Sequence, residues 1–479
     1  MSLAYILAWI LPWFAGTGIC LALNRGMRAQ GDIAAILGTG FLFGLFLVAG
    51  LASFIAQEDT RQAFSDTAPW LAGIGILAWA VALKLRNRKS LLLLEQGLSP
   101  ALRVLWWALL AAIVLRLGVL GSEALLRPTF PWDAWSAWSV KPKAWFLIGH
   151  YVPYVSMQEW LANPDLPLRT AAIWDYPELL AWIEIWFASA AGGWNEPLIN
   201  FAWTGVLASI GLASYGQWRA IGLRPEQCML LVYGLVSLPL LGAHVALAGY
   251  ADLWLAAALG MAVLGWLRWM HDRAPGQLVL AGLFAATLPM IKLEGAVWLA
   301  IFSSVVVLSM LPKRIRWWVV TAALLLALLG LALGGFAIPI LGLGWVRASW
   351  GEVIVPALGA LDLHWRPVGR AMLSGLLTLP NWHLLWYLLP LAVALRWHVF
   401  QESRMARSLG AMLGLCALFL FVLFFFTEAS TWAENYTSAN RLILHIVPAV
   451  FSLLALLIVG FSLSNRDTPE QSTAPTAEG

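Results

Sequence analysis

Apolar runs of about 20 residues follow one another along almost the whole chain, and each is long enough to cross a bilayer as a helix. The pattern predicts spans at 3–23, 33–56, 68–84, 101–126, 197–218, 227–248, 250–267, 278–293, 295–311, 317–345, 371–395, 409–426 and 442–462, about thirteen transmembrane helices in an all-α polytopic membrane protein. The first run, MSLAYILAWILPWF, lacks a basic leader and an A-x-A-like cleavage site, and reads as a retained helix. The closing stretch SNRDTPEQSTAPTAEG (464–479) is polar and aperiodic, which predicts a disordered tail. No separate soluble domain is expected: N-terminal helices occupy 1–100, and a membrane module with an outer loop at 127–175 occupies 101–463.

Composition narrows the class. Of 479 residues 61% are hydrophobic and 11% charged, against about 25% charged in a soluble domain, so no ordinary water-facing surface can be built. The formal charge of +4 is small and scattered, which excludes a nucleic-acid footprint. Cys20, Cys228 and Cys416 lie far apart and form no CxxC, so neither a disulfide framework nor a zinc site is expected. Thirty tryptophans are the unusual feature.

Basic residues in short loops set the orientation. KLRNRK (84–89), RWMHDR (268–273), PKRIR (312–316) and RWHVFQESRMAR (396–407) are expected on the cytoplasmic side, and the acidic 57–66 loop on the other. That places the N-terminus and the 127–175 loop outside. A crossing at 176–193 would invert every later basic loop and bury Glu178 and Glu184, each costing about 3 kcal/mol at the bilayer centre. The segment is therefore expected to be re-entrant or interfacial.

With this orientation, the functional side chains collect at the outer face. In RPTFPWDAWSAWSVKPKAWF (127–146), Pro131 opens a predicted helix, Trp132, Trp135 and Trp138 recur along one stripe, and Pro142 is expected to interrupt it. Indoles anchor helices at the interface and also suit the apolar faces of sugar rings. Asp133 stands among them, with Lys141 and Lys143 beyond. A carboxylate there can take the proton of an attacking hydroxyl. Asp175, Tyr176 and Glu178 follow in AIWDYPELLAWIE; Tyr250 and Asp252 open a helix, where capping is the simpler role for the acid. Lys292 and Glu294 flank an outer turn as an ion pair or as ligands. Arg441 precedes the last helix, where a guanidinium either snorkels or holds a phosphate bidentately. His244 reads as a core histidine, and Arg116, with Glu123 two turns on, as a buried structural contact.

No P-loop, GxGxxG, HExxH or GxSxG context is present, so an activated substrate would come from the membrane. The ordered pieces FPWDAWSAW, WDYPELLAW, GYADLWLAA, LPMIKLEGA and SANRLILHIVP resemble the polyprenyl-phosphate-dependent membrane glycosyltransferases of the GT-C superfamily, of the protein mannosyltransferase, aminoarabinose transferase and lipopolysaccharide-core galacturonosyltransferase type. The resemblance implies a multi-pass protein of the bacterial inner (cytoplasmic) membrane whose active site faces the periplasm or exterior. It also implies a polyprenyl-phosphate-linked sugar donor and a lipid, glycan or protein acceptor. It makes Asp133 the base, Arg441 and Lys292 the phosphate-holding cations, and the three tryptophans with Lys141, Lys143, Asp175, Tyr176, Glu178, Tyr250, Asp252 and Glu294 cavity lining. A divalent cation, Mg or Mn, is compatible with the family, although Asp133 has no adjacent second acid; no other cofactor is expected. The rival class is a secondary transporter or flippase of a lipid-linked substrate.

Overall fold

The computed structural model describes residues 2–25, 29–85, 98–340, 344–356 and 359–464. At its centre lies helix Asp252–Asp272, in which residues 252 to 268 are all buried. Its small side chains (AAALGMAVLG) let neighbours approach on every side, and an all-round apolar surface is what a fully enclosed helix needs. Helices Ala202–Ala220, Pro275–Ile291 and Ala439–Ser464 pack around it. Helices Leu3–Leu23 and Asp32–Ile55 form a close pair beside this group. A Cβ on Gly44 would overlap the carbonyl of Pro12, and one on Gly16 would overlap that of Gly40.

Among the described residues nine helices are long and apolar enough to cross a membrane, or ten when one bent pair counts as a single span. The expected thirteen is not reached, for reasons legible in the backbone. Pro275–Ile291 and Glu294–Met310 have 17 residues each, about 25 Å at 1.5 Å per residue. The 317–345 run does not continue as a helix: Lys313–Ala332 ends before Gly334 and Gly335, both at positive φ. The chain then enters a four-stranded antiparallel sheet that the apolar pattern concealed, with β1 (Phe336–Ile340), β2 (Gly344–Ser349), β3 (Glu352–Val355) and β4 (Gly359–Asp362) in sequence order. Val346 and Val355 of this sheet bury themselves on Ala296. The expected 371–395 span is likewise broken, into short helical turns at 369–378 and helix Leu385–Leu395.

The 227–248 run is the bent pair: helices Pro225–Val236 and Pro239–Ala246 meet at 58°. Pro239 has no N–H to continue the ladder, so carbonyls before it lose their partners. Arg116 donates through Nε to Val236 O (3.0 Å) at the break, and through Nη2 to Leu238 O (3.4 Å), which also accepts from Gly242 N. His383, from the other interrupted segment, lies 3.0 Å from Ser237 O. Arg116 is thus the structural contact expected of it, although Glu123 pairs with Arg127 instead.

Helix Leu179–Ala191 has 13 residues, about 20 Å, short of the roughly 30 Å bilayer core. It is wedged among the N-terminal helices and helix Val140–Ile148, and Trp186 Nε1 donates to Ala8 O at 3.0 Å. The far end of the bundle has its own polar cluster. Arg268 pairs with Asp32 (2.8 Å) and Asp272 (2.6 Å), while a chain of amides runs from Gln217 through Gln277 to Asn24. The expected basic loop at 84–89 falls mostly outside the described residues, as does the tail from 465.

Gly44→Val places a branched side chain against backbone that cannot rotate away. It is expected to cost more than the roughly 1–3 kcal/mol of ordinary overpacking. Loss of the monodisperse peak in detergent gel filtration, with retention in a surface control such as Gly50→Val, is the check; Gly50 has open space around it.

Candidate functional site

The functional cluster is built around Asp252, the first residue of the central helix. Its side chain makes no cap to its own helix and is completely buried. The capping expectation therefore fails: the carboxylate is turned to cations brought by other segments. Oδ1 accepts from Lys292 Nζ and from His445 Nε2, each at 2.9 Å. Oδ2 accepts a hydrogen bond from Arg441 Nε at 2.9 Å and makes an ion-pair contact with Nη2 at 2.8 Å. Three hydrogen bonds and one further ion-pair contact thus engage a carboxylate that has about four acceptor sites.

Each donor is placed by local structure. Lys292 ends helix Pro275–Ile291 in extended backbone, and its ammonium also reaches Glu294 Oε1 at 3.1 Å. Arg441 and His445 lie one helical turn apart on helix Ala439–Ser464 and so share a face. His445 receives Trp298 Nε1–H at its Nδ1 (3.1 Å); an indole only donates, so the imidazole proton sits on Nε2, facing Asp252. The Arg441 guanidinium lies 4.3 Å from the ring centre of Tyr250, a cation–π contact.

Arg441 also joins the buried cluster to the surface. Its Nη1 donates to Asp133 Oδ2, and the Asp133 side chain is 42% exposed where Asp252 is fully enclosed. One guanidinium thus bridges a solvent-facing acid on the first loop and an enclosed acid on the central helix. Close packing sets this approach, since a Cβ on Gly249 would press on Ala134, next to Asp133.

The first loop departs from its expected form. Residues Ala134–Trp138 make a π-helical turn, closed by Ser139 N donating to Ala134 O at 2.8 Å. The wider turn breaks the tryptophan stripe: Trp132 and Trp135 stay exposed at 69% and 47%, while Trp138 turns inward at 7%. Pro142 does not interrupt a helix. It sits in the first turn of Val140–Ile148, where its missing N–H does no harm. Trp138 packs against Tyr176 with ring centres 5.0 Å apart and planes tilted by 41°. Burial pushes the Tyr176 phenol up to about 12, with the Glu294 carboxylate adding to the effect and Lys292 opposing it.

The remaining expected residues divide by role. Asp133, Tyr176, Tyr250, Asp252, Lys292, Glu294 and Arg441 come together. Lys141 is buried and spends its ammonium on Trp174 O (2.7 Å) and Tyr176 O (2.8 Å), with Glu178 at 3.8 Å, so it fastens the loop. Burial lowers the Lys141 pKa against the opposing pull of Glu178 and Asp175, and raises that of Glu178. Lys143 points elsewhere, pairing with Glu196 at 2.7 Å. Three residues outside the expected set belong to the cluster: His445, Trp298 and His244, the last with Nε2 3.8 Å from Asp252 Oδ2. The spacing R-x-x-x-H in SANRLILHIVP was the available signal for His445.

This donor set does not fit the divalent cation that the family resemblance allows. Asp252 is filled by nitrogen donors and Asp133 already faces a guanidinium. Among the described residues no group of three or more His, Cys, Asp or Glu is arranged to hold a metal ion. No family model, curated protein or solved structure matches the chain.

Removing the Asp252 charge takes away the enclosed counterion that Lys292 and Arg441 share and leaves them only Glu294 and Asp133, a loss of about 3–5 kcal/mol. Asp252→Ala is expected to lower the unfolding temperature in detergent steeply, whereas Asp133→Ala, at the exposed rim, shifts it little, within about 1 kcal/mol. Equal shifts for the two would contradict this division between an enclosed anchor and a rim acid.

Proposed function

We propose that the protein is a membrane glycosyltransferase. It moves a sugar from a polyprenyl-phosphate donor to a lipid, glycan or protein acceptor at the outer face of the bacterial inner membrane. The transfer is direct and inverting. The observation that supports this reading is the Asp133–Arg441 contact, which puts a solvent-reachable carboxylate and a phosphate-binding cation side by side at the mouth of an otherwise enclosed charge cluster.

In this reading the donor phosphate takes the end-on edge of the guanidinium, Nη1 and Nη2, in a bidentate pair. Arg441 Nε remains on Asp252, so the cation keeps its position. Losing Nη1 frees Asp133, which then accepts the proton of the acceptor hydroxyl as its oxygen attacks the anomeric carbon. The carbon–oxygen bond to phosphate breaks, and the bonding pair leaves with the phosphate, whose negative charge Arg441 and Lys292 offset. A phosphate is a stable leaving anion, so a strong general acid is less necessary than in glycoside hydrolysis. Trp132 and Trp135, exposed beside Asp133, offer indole faces to a sugar.

A transporter or flippase of a lipid-linked substrate is the second reading, favoured by two interrupted helical segments that meet near the cluster through Leu240 N and Asn381 O (3.2 Å). Reconstituted protein given radiolabelled polyprenyl-phosphate sugars and an envelope extract separates the two. Label on a new acceptor supports transfer; label that only changes sides of the vesicle supports transport.

Asp133→Asn is expected to reduce transfer by about 10²–10⁴ as loss of a general base, with expression and gel-filtration behaviour unchanged. Wild-type turnover in that variant would sink the base assignment.

A further inference from the structure

His244 is enclosed yet incompletely satisfied. Its Nδ1 lies 2.8 Å from Leu240 O, one turn back on helix Pro239–Ala246. A carbonyl only accepts, so Nδ1 carries the proton of the neutral ring and Nε2 bears the lone pair. Nε2 is buried with no hydrogen-bond partner and faces Asp252 Oδ2 at 3.8 Å. Two acceptors facing each other stand off at such a distance. A proton placed on Nε2 would convert this gap into a charge-assisted hydrogen bond.

The cluster supplies a reason for that proton to arrive. Asp133, Asp252 and Glu294 carry three negative charges against two positive charges on Lys292 and Arg441. An anion bound here adds a further negative charge to a net-negative, largely enclosed group. Binding through the end-on edge of Arg441 also withdraws Nη2 from Asp252 Oδ2, the oxygen that His244 faces.

We propose that His244 is a proton-linked reserve donor for Asp252, so that capture of a phosphoester anion by Arg441 draws one proton from solvent onto His244 Nε2. The inference rests on the phosphate reading of Arg441 given above. The proton comes from water, goes to the ring nitrogen and returns when the anion leaves; no other bond is made or broken. The groups facing His244 are Asp252, Arg441, His445 and the Tyr250 ring, whose centre is 5.4 Å away; Arg116 lies against Gly242 on the same helix. His445 is held neutral between Trp298 and Asp252, and Arg116 is committed to the carbonyls of the helix break. His244 is the ring left with an open nitrogen. It is a positioning residue, acting through Asp252 on the placement of Arg441.

Dihexyl phosphate is a suitable probe because a phosphodiester keeps a single charge throughout the range in which imidazole titrates. Calorimetric titration of the full-length protein in detergent, in two buffers of different ionisation heat at about pH 8, reads proton uptake directly. The wild type is expected to take up close to one proton per bound diester, and its affinity to fall about tenfold per pH unit between the free-state and the bound-state pKa of the His244 ring. His244→Gln is expected to bind more weakly, with uptake near zero and affinity independent of pH, while His445→Gln keeps the uptake. Diester binding without proton uptake in the wild type, or uptake that persists in His244→Gln, overturns the proton link and leaves the phosphate reading standing. No diester binding at any pH overturns both. The wild-type measurement decides even where the variants fold poorly.

Discussion

A carboxylate with no access to water must be neutralised by groups held in place for that purpose, or it will not stay ionised inside a protein. Asp252 is such a carboxylate, and its needs explain why distant parts of the chain meet where they do. Lys292 comes from a turn between two helices, Arg441 and His445 from the last helix, and Trp298 fixes the histidine from a fourth segment. None of these contacts is local in sequence. Each helps to position the others, because a donor withdrawn from Asp252 leaves both a charge and an acceptor unmatched.

The same logic accounts for the chemistry at the rim. Arg441 touches both the enclosed acid and the exposed one, so whatever engages its outer edge is felt at both. A phosphate there would release Asp133 to solvent and relax the grip on Asp252 in a single event. The helix break at 236–239 brings His244 to the same carboxylate, and Arg116 donates to the Val236 carbonyl at that break.

Much of this was legible in the amino-acid pattern, and the parts that were not share a cause. Apolar runs carry the helical membrane character, and ionisable residues within or at the edges of those runs and in the outer loop mark Asp133, Asp252, Lys292 and Arg441. The pattern could not distinguish a helix from an apolar strand, so 336–340 vanished into an expected span until Gly334 and Gly335 were seen to end the helix. It read tryptophan spacing as a regular α-helical stripe, which the π-helical turn undoes. His445 escaped notice because a histidine in a hydrophobic helix is unremarkable in isolation. Only Asp252, 193 residues away in sequence, makes it part of the site.

The central helix carries an ionic knot at each end, Asp252 with Lys292 and Arg441 at one and Arg268 with Asp32 and Asp272 at the other. Arg268 lies sixteen positions after Asp252, about 24 Å along the helix. Sliding the rod by one turn, or spinning it about its axis, would tear both knots together. It therefore works as a gauge of fixed length. Neighbouring helices can tilt and their breaks can flex, but the distance between the two polar ends of the bundle stays constant, and any rearrangement during function has to pivot around it.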